Sequence, residues 1–249
     1  MPRPIWSGSV SFGLVNVGVK MVPAVRRKDV RFHQLHAADG VRITQKRVCP
    51  ADGQEVPWDQ LAKGYEVSPG RYVVVQPEEL EALDPAATRT IDIEDFVRLE
   101  EIDPLYLDAS YYLVPDAASA RAYGLLAAAM ASASRVAIGK VVLRTKQYLC
   151  AIRARQGALV LSTMNFADEV VDPAELDGLP GQVEAGEREL AVARQLIDAM
   201  TVSFDPTRYH DTYRQAVLEL IEAKAAGQQP PAGAEAPQPV PVVDLMEAL

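Results

Sequence analysis

Cysteine is scarce in this sequence: only Cys49 and Cys150 occur, far apart along the chain. Such a pair makes neither a disulfide framework nor a zinc-ligand spacing, and it fits a reducing, cytoplasmic compartment. Long apolar runs are also missing. No stretch approaches the roughly 20 residues of a membrane span, so no membrane partner is expected. Met1-Pro2-Arg3-Pro4 lacks the apolar stretch of a signal peptide. Histidine is limited to three residues. His33 and His36 form H-x-x-H without the glutamate of a metalloprotease helix, and His210 is remote, so no metal is assigned. Ser7-Gly8-Ser9 lacks the G-x-S-x-G frame of a nucleophile elbow. Gly8, Gly13 and Gly18 recur every five residues, yet no Gly-Lys-Ser/Thr follows to make a phosphate loop. Carboxylates are dense over 78–103 but scattered as on a solvated face. The reading is a non-enzyme.

What is present is segregated charge. The net of -9 argues against nucleic acid at first sight. Taken in blocks, residues 1–50 carry +7, 51–120 carry -12, 121–160 carry +7 and 161–249 carry -11. Two basic blocks converging on one face would draw a polyanion there while the acidic blocks repel it elsewhere. The basic residues themselves are clustered. Lys20 lies in the first strand, Arg26, Arg27, Lys28 and Arg31 follow it, and Arg42, Lys46 and Arg47 follow the Asp39-Gly40 turn. Arg144 and Lys146 mark a strand junction flanked by Lys140, Arg153 and Arg155. Few aromatics interleave with them, which disfavours stacking on single-stranded bases and suits the phosphates of a duplex. No recognition helix is visible, so base readout is not indicated.

The local pattern is mainly β. Over 5–25, Val10 and Phe12 alternate in one phase and Val15, Val17, Val19 and Met21 in the other, with the slip at Gly13-Leu14 read as a bulge or sharp bend. Further strands are expected at Val41–Val48, Arg71–Gln76, Thr90–Val97, Tyr111–Val114, Val136–Arg144, Tyr148–Ala154 and Ala158–Met164. Turn chemistry separates them, as at Pro69-Gly70 and Gln156-Gly157. Short helices are expected from Pro77 and over Asp116–Ala133, the latter N-capped by Asp116. Many short strands with few helices favour a barrel with peripheral helices, an α+β, mainly β fold.

The character changes near Pro180-Gly181. Glu184–Thr201 places Leu190, Ala193, Ile197 and Met200 on one helical stripe. Asp205-Pro206 then starts a helix carrying Tyr209, Tyr213, Val217 and Leu220. Leu190, Ile197, Tyr209, Tyr213 and Val217 are the candidate packing residues of this arm. Gly227–Pro241 is a Pro/Ala/Gln linker. Beyond it, Val242, Leu245, Met246 and Leu249 fall at i, i+3, i+4 and i+7, an amphipathic stretch that reads equally as a frayed tail or as a peptide suited to a partner's groove. The organisation expected is a core over 1–178, a helical arm over 179–226 and a linker with a docking peptide over 227–249.

An ordered series of motifs resembles the bacterial Ku proteins. It begins with Ile5-Trp6-Ser-Gly-Ser-Val-Ser-Phe-Gly-Leu-Val-Asn-Val17-Gly-Val-Lys20. Phe32-His-Gln-Leu-His36, Cys49-Pro-Ala-Asp-Gly53, Lys63-Gly-Tyr-Glu66 and Gly70-Arg-Tyr-Val73 follow in order. Ile102-Asp-Pro104, Ser110-Tyr-Tyr-Leu-Val-Pro115, Phe166-Ala-Asp-Glu169 and Val243-Asp-Leu-Met-Glu-Ala-Leu249 complete it. Each motif is weak alone; the set spans nearly the whole chain. The resemblance implies a Ku-type β-barrel core, a bridge of long hairpins and a C-terminal helical arm. It implies a homodimeric ring that threads onto double-stranded DNA ends in non-homologous end joining and recruits the ATP-dependent DNA ligase D, without a cofactor. The chain departs from the family at Ser7, often basic, and at Gly18, often proline. Many members also carry a lysine-rich extension, and nothing is assigned to one here. The competing expectation is an acidic oligomeric scaffold that binds proteins and no DNA.

Overall fold

The computed structural model describes residues 3–83, 89–143, 146–181 and 186–228, without the side chains of 81–83. The chain divides into two compact units, Met1–Arg27 with Thr44–Val183, and Lys28–Ile43 with Glu184–Leu249.

The first unit holds β1 (Trp6–Phe12), β2 (Val15–Pro23), β3 (Lys63–Ser68), β4 (Arg71–Val75), α1 (Pro77–Leu83), β5 (Thr90–Val97), β6 (Leu107–Pro115), α2 (Ala120–Ala133), β7 (Val136–Leu143), β8 (Lys146–Arg155) and β9 (Ala158–Met164). Seven strands close a barrel in the order β1-β2-β6-β9-β8-β7-β5. Neighbours run antiparallel except β1 and β5, whose parallel pairing closes the ring. Closure leaves no barrel strand with an unpaired edge.

Period-two alternation fills the interior. Val10, Val17, Val19, Met21, Ile91, Leu113, Val141, Cys150, Ile152, Leu159 and Leu161 form one buried cluster, and α2 adds Tyr123, Leu126, Ala127 and Met130 to it. β9 is buried on both faces for most of its length. Its second face joins a smaller cluster of Val136, Ala151 and Met164 with Ile102 and Tyr106.

The phase slip at Gly13-Leu14 proves to be a chain reversal. Phe12 pairs with Val15 and Trp6 with Met21, so β1 and β2 are a hairpin with a two-residue loop, and Gly13 takes a φ of +56°. A two-residue loop puts the last residue of one strand and the first of the next on the same face, which produces the slip. Gln156 and Gly157 make the matching turn between β8 and β9, both at positive φ.

Val41–Val48 is not a strand. It holds only single bridges, Leu35 to Arg42 and Val48 to Glu55. Its local turns take the backbone bonds instead: His36 N–H donates to the Val41 carbonyl and Cys49 N–H to the Gln54 carbonyl, each at 2.8 Å. A strand at Lys63–Ser68 was not expected. Among the described residues it pairs only with β4, and the two-stranded sheet is exposed along nearly all of both strands. The expected cap at Asp116 is also different. Its side chain makes no capping bond and lies 3.3 Å from Lys20 Nζ instead.

The second unit holds α3 (Glu187–Met200) and α4 (Thr212–Ala225). Asp205 accepts from Thr207 N–H at 2.9 Å, but the turn stops at Arg208. Asp211 caps the helix, accepting from Arg214 N–H at 2.8 Å. Tyr209 therefore precedes α4 and stacks on Phe204, with centroids 5.9 Å apart. A second capping aspartate competes with the Asp205-Pro206 signal and sets the start. Tyr213, Arg214 and Val217 of α4 line a cleft with Asp29, Val30 and Phe32.

Candidate nucleic-acid interface

The first candidate, Lys20, is placed by β2. Val19 and Met21 point into the core, so Lys20 between them points out, opposite Val114 of β6. Beyond β2 the chain is irregular and exposed. Arg26 and Arg27 belong to the first unit, and Lys28, Arg31 and Arg42 to the second. Among the described residues, none of these five has a carboxylate within 4.0 Å. In a chain with 34 acidic residues, five cations free of ion pairs leave positive charge open to solvent.

The remaining candidates are engaged. Lys46 Nζ lies 2.6 Å from Glu55 Oε2. The Arg47 guanidinium sits 3.7 Å from the centre of the Trp58 ring, a cation–π contact that occupies that face of the indole. Lys146 opens β8, 3.4 Å from Glu169 Oε1 and 5.2 Å from the Tyr148 ring centre. The Phe166 amide, and after it Lys146, hold the Glu169 carboxyl below its ordinary value. Lys140 pairs with Glu94 at 2.9 Å. Exposed pairs of this kind contribute little, about 0–1 kcal/mol, so an approaching phosphate can exchange for the carboxylate. Arg144 lies outside the described residues, as do Val242, Leu245, Met246 and Leu249.

The loop carrying Arg42 is held by local bonds. Asp39 accepts from Val41 N–H at 3.0 Å and lies 3.0 Å from His36 Nδ1. The Val41 amide first, then His36, lowers the Asp39 pKa. No three of His, Cys, Asp and Glu group as metal ligands among the described residues. Nor is any described helix long and apolar enough to cross a membrane.

Two further exposed basic residues lie outside the clusters visible in the sequence. Lys63 and Arg71 stand on the exposed β3–β4 hairpin beside Tyr65 and Tyr72, which are 71% and 60% exposed. The signal was the Pro69-Gly70 turn with β-branched and aromatic residues on both sides. Of the arm residues, Leu190 and Ile197 are exposed on α3, Tyr209 and Tyr213 are exposed, and Val217 is half-buried.

Residues 11–192 match the family model of the Ku70/Ku80 beta-barrel domain. The chain is 55% identical over 250 residues to the non-homologous end joining protein Ku of Anaeromyxobacter sp. (strain K), covering 100% of this chain and 84% of that protein. It is 47% identical over 248 residues to the protein of that name from Symbiobacterium thermophilum, covering 99% and 61%. The Opitutus terrae protein of that name is 43% identical over 250 residues, covering 99% and 90%. A closed seven-stranded barrel matched along most of its length, with relatives this similar, makes the chain a member of the Ku family.

Proposed function

We propose that this protein is a non-catalytic, sequence-independent binder of double-stranded DNA ends that acts as a homodimer in non-homologous end joining. The observation that carries the reading is the family match joined to the open cations. Arg26, Arg27, Lys28, Arg31 and Arg42 are exposed and free of ion pairs among the described residues. With Lys20, Lys46, Arg47, Arg144 and Lys146 they are the proposed phosphate contacts. Point charges on phosphates give binding that ignores sequence and falls steeply with salt.

Enclosure needs two copies. A core of about 160 residues has a radius of gyration near 15 Å, enough to cradle a duplex but not to surround it. The β3–β4 hairpin supports pairing, because an isolated two-stranded sheet is only marginally stable in water. It exposes Tyr65, Val67, Tyr72, Val73 and Val74. α3 likewise leaves Ile197 and Met200 64% and 80% exposed. A closed two-fold pair is the commonest way to cover surfaces of this kind. The closed ring loads from an end, which supplies end specificity without end chemistry. The 242–249 segment then recruits the ATP-dependent DNA ligase D by helix-in-groove docking. The proposed organisation is a core over 1–178, an arm over 179–226 and a tethered peptide over 227–249.

The test is binding to linear duplex before and after both ends carry bulky caps. Binding lost on capping, and absent on nicked circles, is the expected result; equal binding to capped DNA overturns threading. Arg26→Glu/Arg27→Glu should weaken all duplexes alike. Ligation by ligase D should lose its stimulation in Leu245→Asp/Met246→Asp while DNA binding persists.

A further inference from the structure

Helix α2 is apolar on two sides. Tyr123, Leu126, Ala127 and Met130 face the barrel core, yet Leu125, Ala128, Ala129 and Ala133 are exposed. Over Ala120–Ala133 the helix carries one charged residue, Arg121. A surface helix turns charged residues to water, whereas a helix apolar all round is one that something covers. Beside it, within the first unit, lies an apolar groove of about 500 Å³ between the β1–β2 turn, β5 and α2. Phe12, Val15 and Phe96 form one wall, with Phe12 and Phe96 edge to face, 6.4 Å apart at 85°. The other wall is α2 from Ala122 to Ala133, a length of about 17 Å at 1.5 Å per residue. Arg135 is the one charged residue among the described lining. Leu125 is 72% exposed, and Leu14 in the adjoining turn is fully exposed. Exposed leucines beside two phenylalanines are costly in water and mark an interaction surface.

We propose that α2 and this groove dock an acidic amphipathic helix of another protein, about three turns long to match the wall. Charge selects the sign of the partner. Residues 121–160 hold seven basic residues and no acidic one. Arg121 and Arg135 flank the apolar wall, and among the described residues neither has a carboxylate within 4.0 Å. Arg135 Nη1 reaches the Ala133 and Ser134 carbonyls at 3.5 and 3.4 Å, long contacts that leave the guanidinium available. Glu101, which feels the charge of Arg135, is already held by Arg98 at 2.8 Å. The fold selects a helix over an extended peptide. β1 and β5 are each paired on both sides in the closed barrel, so the groove offers no backbone ladder to an added strand. A small apolar molecule would fill the groove but leave Leu14 in water. A nucleic acid would set phosphates against the apolar wall between the two arginines. An apolar helix face with Asp or Glu near its ends covers the leucines and meets both cations. The inference does not rest on the DNA reading, and its test uses no DNA.

The experiment is selection from a display library of random peptides, about twelve residues long to span the groove, on the full chain. The Leu125→Asp chain is the counter-selected surface; if it fails to fold, Leu14→Asp in the exposed turn takes its place. Selected peptides should carry apolar residues at i, i+3 or i+4 and i+7 with flanking Asp or Glu. Synthesised singly, they should bind the parent at least about tenfold more tightly than the Leu125→Asp chain. Arg135→Glu should weaken them about fivefold, and exchanging the peptide's acids for lysine should restore binding to that variant. No enrichment over the counter-selected chain overturns the proposal, as do selected peptides without acids. Decanoate bound at Leu125 with no peptide selected overturns it in favour of a small apolar ligand. A Leu125→Asp chain that self-associates less than the parent overturns it in favour of an interface between copies.

Discussion

The Tyr123 hydroxyl joins two barrel strands to α2: it donates to the Leu113 carbonyl on β6 and accepts from the Leu159 amide on β9, each at 2.7 Å. Leu113 and Leu159 are register partners, so the hydroxyl serves backbone groups at the end of their ladder. Tyr123→Phe leaves both without a partner inside the core. The expected loss is about 1–3 kcal/mol, read as a lower urea midpoint with an unchanged slope. DNA affinity per folded molecule should not change.

Alkali should destabilise the barrel through two buried acids. Burial, and after it Glu94, pushes the Cys150 thiol up to about 12. Burial also raises the Tyr123 phenol above its ordinary value. Both folded-state values exceed the unfolded ones, so the stability they contribute is full below the unfolded pKa values, about 8.5 and 10, and is lost as pH rises beyond them. Melting temperature should therefore fall above about pH 9, and Cys150→Ala should remove the thiol's share of that slope. At neutral pH a thiol reagent should label Cys49, which is partly exposed, and reach Cys150 only on unfolding.

Much of the barrel was legible because its strands obey period two and their turns carry the required residues. Thr90–Val97 and Ala158–Met164 coincide with the structure to the residue. The failures lie where the chain leaves the barrel. Val41–Val48 has strand composition, but its backbone bonds go to local turns, and pattern alone does not show where a hydrogen bond goes. Lys63–Ser68 reads as polar because both faces of its sheet are exposed, so there is no buried face to impose alternation. The pattern places Tyr209 on the helix, whereas it precedes α4, because Asp205 and Asp211 both look like caps. Of the candidate interface, clustering of cations along the chain was visible. Pairing was not: the carboxylates engaging Lys20 and Lys146 come from residues 96 and 23 positions away.

Ser134 ends α2 in the left-handed region, at φ 51° and ψ 48°. The Arg135 amide closes the cap on the Met130 carbonyl at 3.1 Å. Glycine is the usual residue at this position because it has no Cβ to strain. Ser134→Gly should stabilise the protein by about 0.5–1 kcal/mol, the relief of strain less the extra freedom of the unfolded chain. A higher melting temperature with unchanged DNA binding is the expected result.

Gly139 on β7 should tolerate nothing larger. A Cβ there would run into the Asp92 carbonyl oxygen of β5 and lie 3.2 Å from Ile93 Cα. The obstacle is backbone, next to the register shift between Ile93 and Asp95, so no side chain can move aside. Gly139→Ala should cost about 1–3 kcal/mol or more, measurable by denaturant titration.

The Lys146–Glu169 pair offers a sharper test of the interface than charge reversal alone. Glu169 also accepts from the Phe166 amide at 2.8 Å through Oε2. Glu169→Gln keeps an acceptor for that amide and removes only the charge facing Lys146. If Lys146 meets a phosphate, DNA must first displace the carboxylate, and the variant is spared that step. Affinity for duplex should then rise up to about fivefold at low salt, the range that an exposed ion pair allows. Lys146→Glu should weaken binding to every sequence and reduce the slope of log affinity against log salt by about one. Affinities and salt slopes of both variants equal to those of the parent would place Lys146 away from the DNA.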